Sequence, residues 1–520
     1  MISNRRLDIA KYLYLTGFLG LAIGLPTSKV ILSLSMMFMG LGAVIEWKLL
    51  ERFKALVSYK TFLLLFLFWS LHIFGLLWTE NFTYSGNDIR IKISLIILPI
   101  LIYFNPFEQQ YRKLWINLFI ATLVFTTIFN FLQYHGFILN RNYNDIRGLS
   151  FFGSHIRYGI LIAIGAALCL DQLETAKEKS RLVWLVLFGY FSFYTFYSQI
   201  LSGAVSLLAV ILIYIVWKAF KKSKPLAWTL IGTAAFFIIL TSTYLSSPEK
   251  TTIDFKNLPL KTKLGNPYSH NIEPTTFVNG KTVLAFVCEE ELRTEWELKS
   301  KFAYDGLDSK KQAVRFTLMR YMTSKDLTKD KEGFDQLTNE DIKNVENGMT
   351  SAIEEKVGLV SRIAGLRYQL HNSSDPNGHS LLQRLQYWKT AVHIIQENWL
   401  LGVGTGDVDD AFQQAYKKTN SPLNKENRLR AHNSYLTAWV SFGIFGIITF
   451  LAVIFHFFRQ CIRHKNLFGL MFISVASLTF IIEDTLETQT GASFFAIFFG
   501  LVATQFQIKS APLEKQGHII

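Results

Sequence analysis

The chain reads as an all-α polytopic membrane protein of about twelve transmembrane helices, with one large, mainly helical, water-exposed insertion between the ninth and tenth. Three observations predict this. Half of the 520 residues are hydrophobic, 15% are aromatic and only 18% are charged, with a mean hydropathy of +0.25, whereas a soluble chain carries about 25% charged residues. Apolar runs long enough to cross a hydrocarbon core of about 30 Å recur along the chain. Lysine and arginine collect in every second connection between those runs.

The apolar runs centre on residues 12–27, 29–46, 61–78, 88–104, 114–135, 155–171, 182–200, 203–217 and 226–246, then 433–458, 467–482 and 491–507. Gln199, Ser202 and Gly203 barely interrupt the stretch 182–217, so the count is twelve, give or take one. Arg5 and Arg6 precede the first run. Many spans follow and no small-residue cleavage site stands out, which makes this a first helix and not a cleaved signal peptide.

Charge placement orients the chain. With a cytoplasmic N-terminus, the inner connections carry Lys48, Arg52, Lys54 and Lys60; Arg112 and Lys113; Lys177, Lys179 and Arg181; Lys218, Lys221, Lys222 and Lys224; and Arg459, Arg463, His464 and Lys465. The outer ones are short or acidic, with Glu80 and Asp88 in one and Glu483, Asp484 and Glu487 in another. Arg90 and Lys92 break the pattern slightly. This alternation accounts for most of the net charge of +14 and removes the main support for nucleic-acid binding. It puts both termini in the cytoplasm. Cys169, Cys288 and Cys461 build no disulfide framework and no thiol zinc motif.

Between Pro248 and Ala431 hydrophobicity collapses and turns such as Gly265-Asn266-Pro267 and Asp375-Pro376-Asn377-Gly378 appear. The expected organisation is a membrane region over 1–247, a loop domain over 248–431 and a second membrane region over 432–520. The insertion, at roughly 180 residues, is long enough for a small core. Apolar and charged residues alternate at helical spacing in it, as at Val314, Leu318, Tyr321 and Met322. Residues 380–397 read as an amphipathic helix with Leu381, Leu385, Trp388, Val392 and Ile395 on one side, a packing stripe rather than a cofactor site.

The chemistry-bearing residues collect where the insertion returns to the membrane. Gln383-Arg384-Leu385-Gln386-Tyr387-Trp388 is followed by Asn398-Trp399-Leu400-Leu401-Gly402-Val403-Gly404-Thr405-Gly406, then Arg430-Ala431-His432-Asn433-Ser434-Tyr435-Leu436, and Gly443-Ile444-Phe445-Gly446. Glycines such as Gly402 and Gly404 permit a tight turn with amides free to meet an anion, although G-x-G-x-G without a strand–helix context is weak evidence of a nucleotide site. The combined pattern R-x3-W, N-x3-G-V-G-x-G, H-N-S-Y-L and G-I-x-G resembles the O-antigen ligase and O-antigen polymerase superfamily of bacterial membrane glycosyltransferases. Arg147-Gly148-Leu149 through His155-Ile156-Arg157-Tyr158-Gly159 is a second matching piece. The motifs span about a fifth of the chain. The sequence departs from the superfamily at Ser198-Gln199-Ile200-Leu201-Ser202-Gly203, where relatives often place an arginine between the serine and the glycine.

The resemblance implies a donor glycan on undecaprenyl diphosphate, an acceptor such as lipid A–core or another glycan or protein, and a site in the bacterial inner membrane with the large loop periplasmic. Arg147, Arg157, Arg384 and Arg430 become candidates to hold the diphosphate, because the guanidinium fork matches phosphate oxygens. His432 becomes the candidate base for the acceptor hydroxyl. A single displacement would invert the anomeric carbon. No cofactor and no metal is expected, and the other partners are membrane lipids. Asn433 and Tyr435, with Gly402 and Gly404, fill supporting places.

Plainer readings stand beside these. His432 could be a helix-start residue, Arg147 and Arg157 could reach for lipid headgroups, and Arg384 could belong to a polar helix face. Asp409-Asp410 lacks a third ligand at a supporting spacing. His371, His379 and His393 have no metal-ligand register. Glu483, Asp484 and Glu487 read first as a solvated loop, with acceptor binding as the alternative. A ligase is favoured over a polymerase or protein O-glycan ligase because the insertion is single and late, an argument from analogy. A lipid-linked glycan transporter would show mid-span charges, which the apolar runs almost wholly lack.

Overall fold

The computed structural model describes residues 2–46, 48–57, 59–104, 109–139, 146–247, 258–271, 277–278, 281–309, 312–352, 370, 376–377 and 380–510. His371 and His379 lie outside these residues. The chain divides into two compact units, Met1–Leu230 with Arg384–Ile520, and Ile231–Gln383. The second unit therefore closes well before residue 431, where hydropathy recovers, and residues 384–431 belong with the apolar helices.

The first unit is an all-α membrane protein body. Nine helices among the described residues are long and apolar enough to cross a bilayer: Arg5–Thr27, Lys29–Glu46, Lys60–Trp78, Gln110–Tyr134, His155–Thr175, Leu201–Lys222, Lys224–Ser246, Ser434–Arg463 and Gln489–Phe506. The boundary between the units falls inside the seventh of these. The remaining three expected crossings take other forms. Residues 88–104 divide into a polar helix, Phe82–Lys92, and an apolar one, Ser94–Phe104. Asn87, Asp88, Arg90 and Lys92 make the first half too polar for a hydrocarbon core. The second half, at about 1.5 Å per residue, covers only about half the core thickness. Glu178–Tyr197 is long enough, but Glu178, Lys179 and Arg181 charge its start and Tyr190, Tyr194 and Tyr197 lower the hydropathy of the rest. Leu467–Ile482 is apolar but only 16 residues long.

Close helix packing rests on small residues, as in bilayers generally. Gly159 and Gly203 face one another so closely that a Cβ on Gly203 would stand 3.1 Å from the Gly159 Cα. Aromatic rings fill much of the remaining core. Trp115 stacks on Phe119 with centroids 5.3 Å apart, and Phe457 stacks on Phe499 at 4.6 Å. Short polar side chains start the helices: Asn466 accepts from the Gly469 amide at 2.7 Å, and Asn81 from the Tyr84 amide at 3.0 Å.

The second unit has its own core of Trp296, Tyr304, Leu318, Tyr321, Met322 and Phe334, all fully buried. The helix Val314–Ser324 buries Val314, Leu318, Tyr321 and Met322, the face its periodicity predicts. A two-residue antiparallel ladder pairs Phe277–Val278 with Lys281–Thr282. Asp341 organises one corner. It closes a capping box with Thr338 and accepts from the Tyr321 hydroxyl at 2.7 Å and from Lys325 at 2.7 Å. Burial pushes its carboxyl up, but Lys325, the Thr338 amide and Tyr321 more than offset this and hold it down at about 2.

Candidate active site

The site is built from segments of the first unit: the polar helix Phe82–Lys92, the part of the helix Ser380–Glu397 from Arg384 onward, the loop 398–407, the segment 428–433 that leads into Ser434–Arg463, and the segment 483–488. In Ser380–Glu397 the buried face is Tyr387, Thr390, Ala391, Ile394 and Ile395. Of the apolar stripe expected there only Ile395 is buried, while Leu385 and Val392 are exposed. The core lies against Phe412 and Tyr416 of the helix Val408–Lys418, which turns the helix by about one residue from the anticipated face.

The glycine loop corrects one expectation. Its amides are not free for an anion. The helix Ser434–Arg463 is kinked at Phe442 and Gly443, where Gly443 has φ +59° and ψ −148°. The kink strips intrahelical partners from carbonyls on its N-terminal side. The loop supplies replacements: the Val403 amide donates to the Val440 carbonyl and the Gly404 amide to the Ser441 carbonyl, both at 2.9 Å. The Ile444 amide in turn donates to the Trp399 carbonyl at 2.9 Å. Gly402 (φ +72°) and Gly404 (φ +93°) adopt the left-handed backbone this docking requires. Thr405 donates to the His72 carbonyl at 2.8 Å, and Asp407 accepts the Asn81 amide at 2.8 Å. The loop thus ties two helices together. Asp409 and Asp410 sit in the first turn of Val408–Lys418, where acidic residues suit the helix dipole. Among the described residues no group of histidines, cysteines and carboxylates could hold a metal ion.

His432 stands one residue before a helix cap, in the left-handed region at φ +46°. Asn433 is the cap, accepting from the Tyr435 and Leu436 amides at 3.0 and 3.1 Å. Tyr435 packs on Phe450 and Phe480 and donates to the Ser477 carbonyl at 3.2 Å, an interface role. The His432 Nδ1 is buried without a hydrogen-bond partner. It lies 3.9 Å from Asp484 Oδ2 and 4.0 Å from Glu483 Oε2. Asp484 also accepts the His432 amide and the Thr437 hydroxyl, each at 3.2 Å. The imidazole is about a third exposed, and Tyr387 flanks it with centroids 5.6 Å apart. A carboxylate facing Nδ1 favours the proton on that nitrogen and leaves Nε2 as an acceptor.

The acidic segment is not a solvated loop. Glu483, Asp484 and Glu487 are all less than a tenth exposed. Buried carboxylates persist only when paired: Glu483 and Glu487 are held by the predicted arginines and a lysine, and Asp484 by the His432 amide and the Thr437 hydroxyl. Arg384 donates to the Ile482 carbonyl at 3.1 Å and to Glu483 at 2.9 Å. Arg430 donates to Glu487 at 2.9 Å and to the Tyr84 hydroxyl at 2.6 Å, in both cases through Nη1. Lys92 holds the other Glu487 oxygen at 2.7 Å. Burial pushes the Asp484 carboxyl above its usual range in spite of Arg430. Burial acts on Glu487 in the same direction, but Lys92 and Arg430 more than offset it and keep this carboxyl well below the usual range. Burial also raises the Tyr84 phenol to about 12.

The structure therefore brings together Arg384, Arg430, His432 and Asn433. Arg157 stands apart at the start of His155–Thr175, its Nε buried without a hydrogen-bond partner, and no hydrogen bond or ion pair joins it to the acidic segment among the described residues. The backbone of Arg147 lies in the short 3-10 turn Ile146–Leu149, and its side chain is outside the described set. Sequence reasoning missed Tyr84, Asp88 and Lys92. For Asp88 and Lys92 the signal was available: charges at the start of the otherwise apolar run 88–104, where Lys92 breaks the positive-inside pattern.

Residues 179–451, more than half of the chain, match the family described as O-antigen ligase. The chain belongs to the O-antigen ligase family. No curated protein matches it. The match to the O-antigen ligase family contains Arg384, the glycine loop, Arg430 and His432 and ends inside the helix Ser434–Arg463, so the acidic segment lies beyond it. Family membership carries an O-antigen ligase-like function in general, with a lipid-linked glycan and an acceptor as its partners.

Proposed function

We propose that the chain is an inner-membrane glycosyltransferase that moves a glycan from undecaprenyl diphosphate to an acceptor such as lipid A–core, without a metal or cofactor. On this reading both termini are cytoplasmic and residues 248–431 are periplasmic. The observation that carries the reading is the partnerless His432 Nδ1 facing Asp484 and Glu483, beside two arginines, directly before a membrane-spanning helix. The 3.9 Å separation is long for a hydrogen bond, but such contacts often tighten only when substrate binds.

His432 Nε2 takes the acceptor hydroxyl proton as that oxygen attacks the anomeric carbon. The bond from this carbon to the diphosphate oxygen breaks, and the electron pair leaves with undecaprenyl diphosphate, inverting the anomeric centre. Developing imidazolium charge is stabilised by Asp484 and Glu483. The donors that Arg430 does not spend on Glu487 and Tyr84 are available to the leaving diphosphate, with Arg384, Arg157 and Arg147 as further candidates. Gly402, Gly404, Asn433 and Tyr435 act by holding the segment around His432.

The test uses purified protein in nanodiscs with a lipid-diphosphate-linked glycan, lipid A–core acceptor and a metal chelator. Wild type should transfer glycan to the core, and His432→Ala should lose at least about a hundredfold in kcat. Asp484→Asn, which keeps the shape and loses the charge, should lose about tenfold or more. Donor consumed into longer lipid-linked chains would replace the ligase reading by a polymerase. Full activity in His432→Ala, or no turnover in wild type, would overturn the mechanism.

A further inference from the structure

We infer that Lys92 is a positioning residue for the leaving diphosphate: it neutralises the carboxylates beside Arg430 and so keeps that guanidinium's charge available to the donor. The inference rests on the proposed transfer reaction. Lys92 is 5% exposed, in a stretch where its charge breaks the positive-inside pattern and would otherwise have no reason to be. Its ammonium lies 2.9 and 3.1 Å from the two Asp88 oxygens and 2.7 Å from Glu487 Oε1. Glu487 Oε2 then holds Arg430, and Arg430 returns to the same helix through Tyr84.

The four charged groups balance: Lys92 and Arg430 against Asp88 and Glu487. Glu487 is shared, one oxygen to each cation. The space adjoining Lys92 and Glu487 is a cavity of about 10 Å³, lined also by His72, Ser434, Thr437 and Ser441, with room for about one water. Bulk solvent and salt therefore screen this group little, and a change of one charge is felt by its neighbours. Without Lys92, Asp88 and Glu487 act on the Arg430 guanidinium together with Asp484. Arg430 is then left to offset Asp88 and Glu487 besides Asp484, and an anionic donor meets a site with a surplus negative charge.

The experiment measures kcat and separate KM values for the lipid-diphosphate donor and for the acceptor in wild type, Lys92→Met, Lys92→Arg, Asp88→Asn and the double variant Asp88→Asn/Lys92→Met. Lys92→Met should raise the donor KM on the order of tenfold and leave the acceptor KM within about twofold. The double variant, balanced again, should return the donor KM to near wild type, and Lys92→Arg should stay near it. Asp88→Asn, with one surplus positive charge, should lower the donor KM. If Lys92→Met does not accumulate folded, Asp88→Asn and the double variant decide the question. An unchanged donor KM in Asp88→Asn, or a double variant that melts like wild type yet shows a raised donor KM, overturns the inference while leaving the transfer reaction standing. A wild type that transfers nothing removes the transfer reaction itself, and this role with it.

Discussion

Replacing Gly443 by alanine strikes the joint on which the glycine loop docks. A Cβ there would lie 2.1 Å from the Leu400 carbonyl oxygen, 2.3 Å from its carbon and 2.6 Å from the Leu401 nitrogen. All three are backbone atoms, so no side chain can swing aside. The backbone at φ +59° and ψ −148° is a region that only glycine occupies readily, at a cost of about 1–3 kcal/mol for other residues. Moving the Leu400 peptide also pulls on three docking hydrogen bonds, those of Val403, Gly404 and Ile444, worth about 1 kcal/mol each. The expected destabilisation is therefore about 4–6 kcal/mol before relaxation. Thermal unfolding in detergent, followed by tryptophan fluorescence, should show Tm falling by several degrees, with glycan transfer lost in parallel. Gly189→Ala is the control, because a Cβ there meets nothing within 4 Å and alanine in a helix interior gains up to about 1 kcal/mol over glycine. If Gly443→Ala melts within a degree of wild type, while the control melts at or above it, the docking argument is wrong.

Two further outcomes follow from other contacts. Asp407 accepts the Asn81 amide at 2.8 Å and the Glu80 amide at 2.9 Å, so Asp407→Ala should cost about 1–2 kcal/mol, seen as a lower Tm and faster amide exchange at residues 80 and 81. Asp341, held down at about 2, contributes stability that is fully present above its ordinary value near 4 and lost as pH falls through 2. Titrating the protein from pH 5 to 2 by near-ultraviolet circular dichroism should show this loss, about 2 kcal/mol, and Asp341→Asn should flatten that part of the profile.

Much of the helical body is legible in hydropathy alone. The run 29–46 is the helix Lys29–Glu46, and 467–482 is Leu467–Ile482. Local pattern suffices there because a bilayer-spanning helix satisfies its own backbone. It fails where the decisive partner is remote in sequence. Glu487 looks solvent-facing in its own segment, and only Lys92 and Arg430, brought to it by the fold, make its burial tolerable. The glycine loop shows the same limit. Its spacing announces a turn, but whether the Val403 and Gly404 amides are free depends on a kink some forty residues later, at Gly443. His432 and the two clustered arginines were visible as motif residues, whereas the carboxylates that face them read first as a solvated loop.

Every residue assigned to the site belongs to the first compact unit, because Arg384 begins its second stretch and the other unit ends at Gln383. The catalytic parts and the inserted module thus meet along the chain at two seams, Leu230/Ile231 and Gln383/Arg384. Selection can lengthen, trim or exchange the module without touching the residues proposed for bond-making. The same seams offer engineering joints: chimeras joined after Leu230 and before Arg384 carry a foreign insertion beside an unbroken set of site residues.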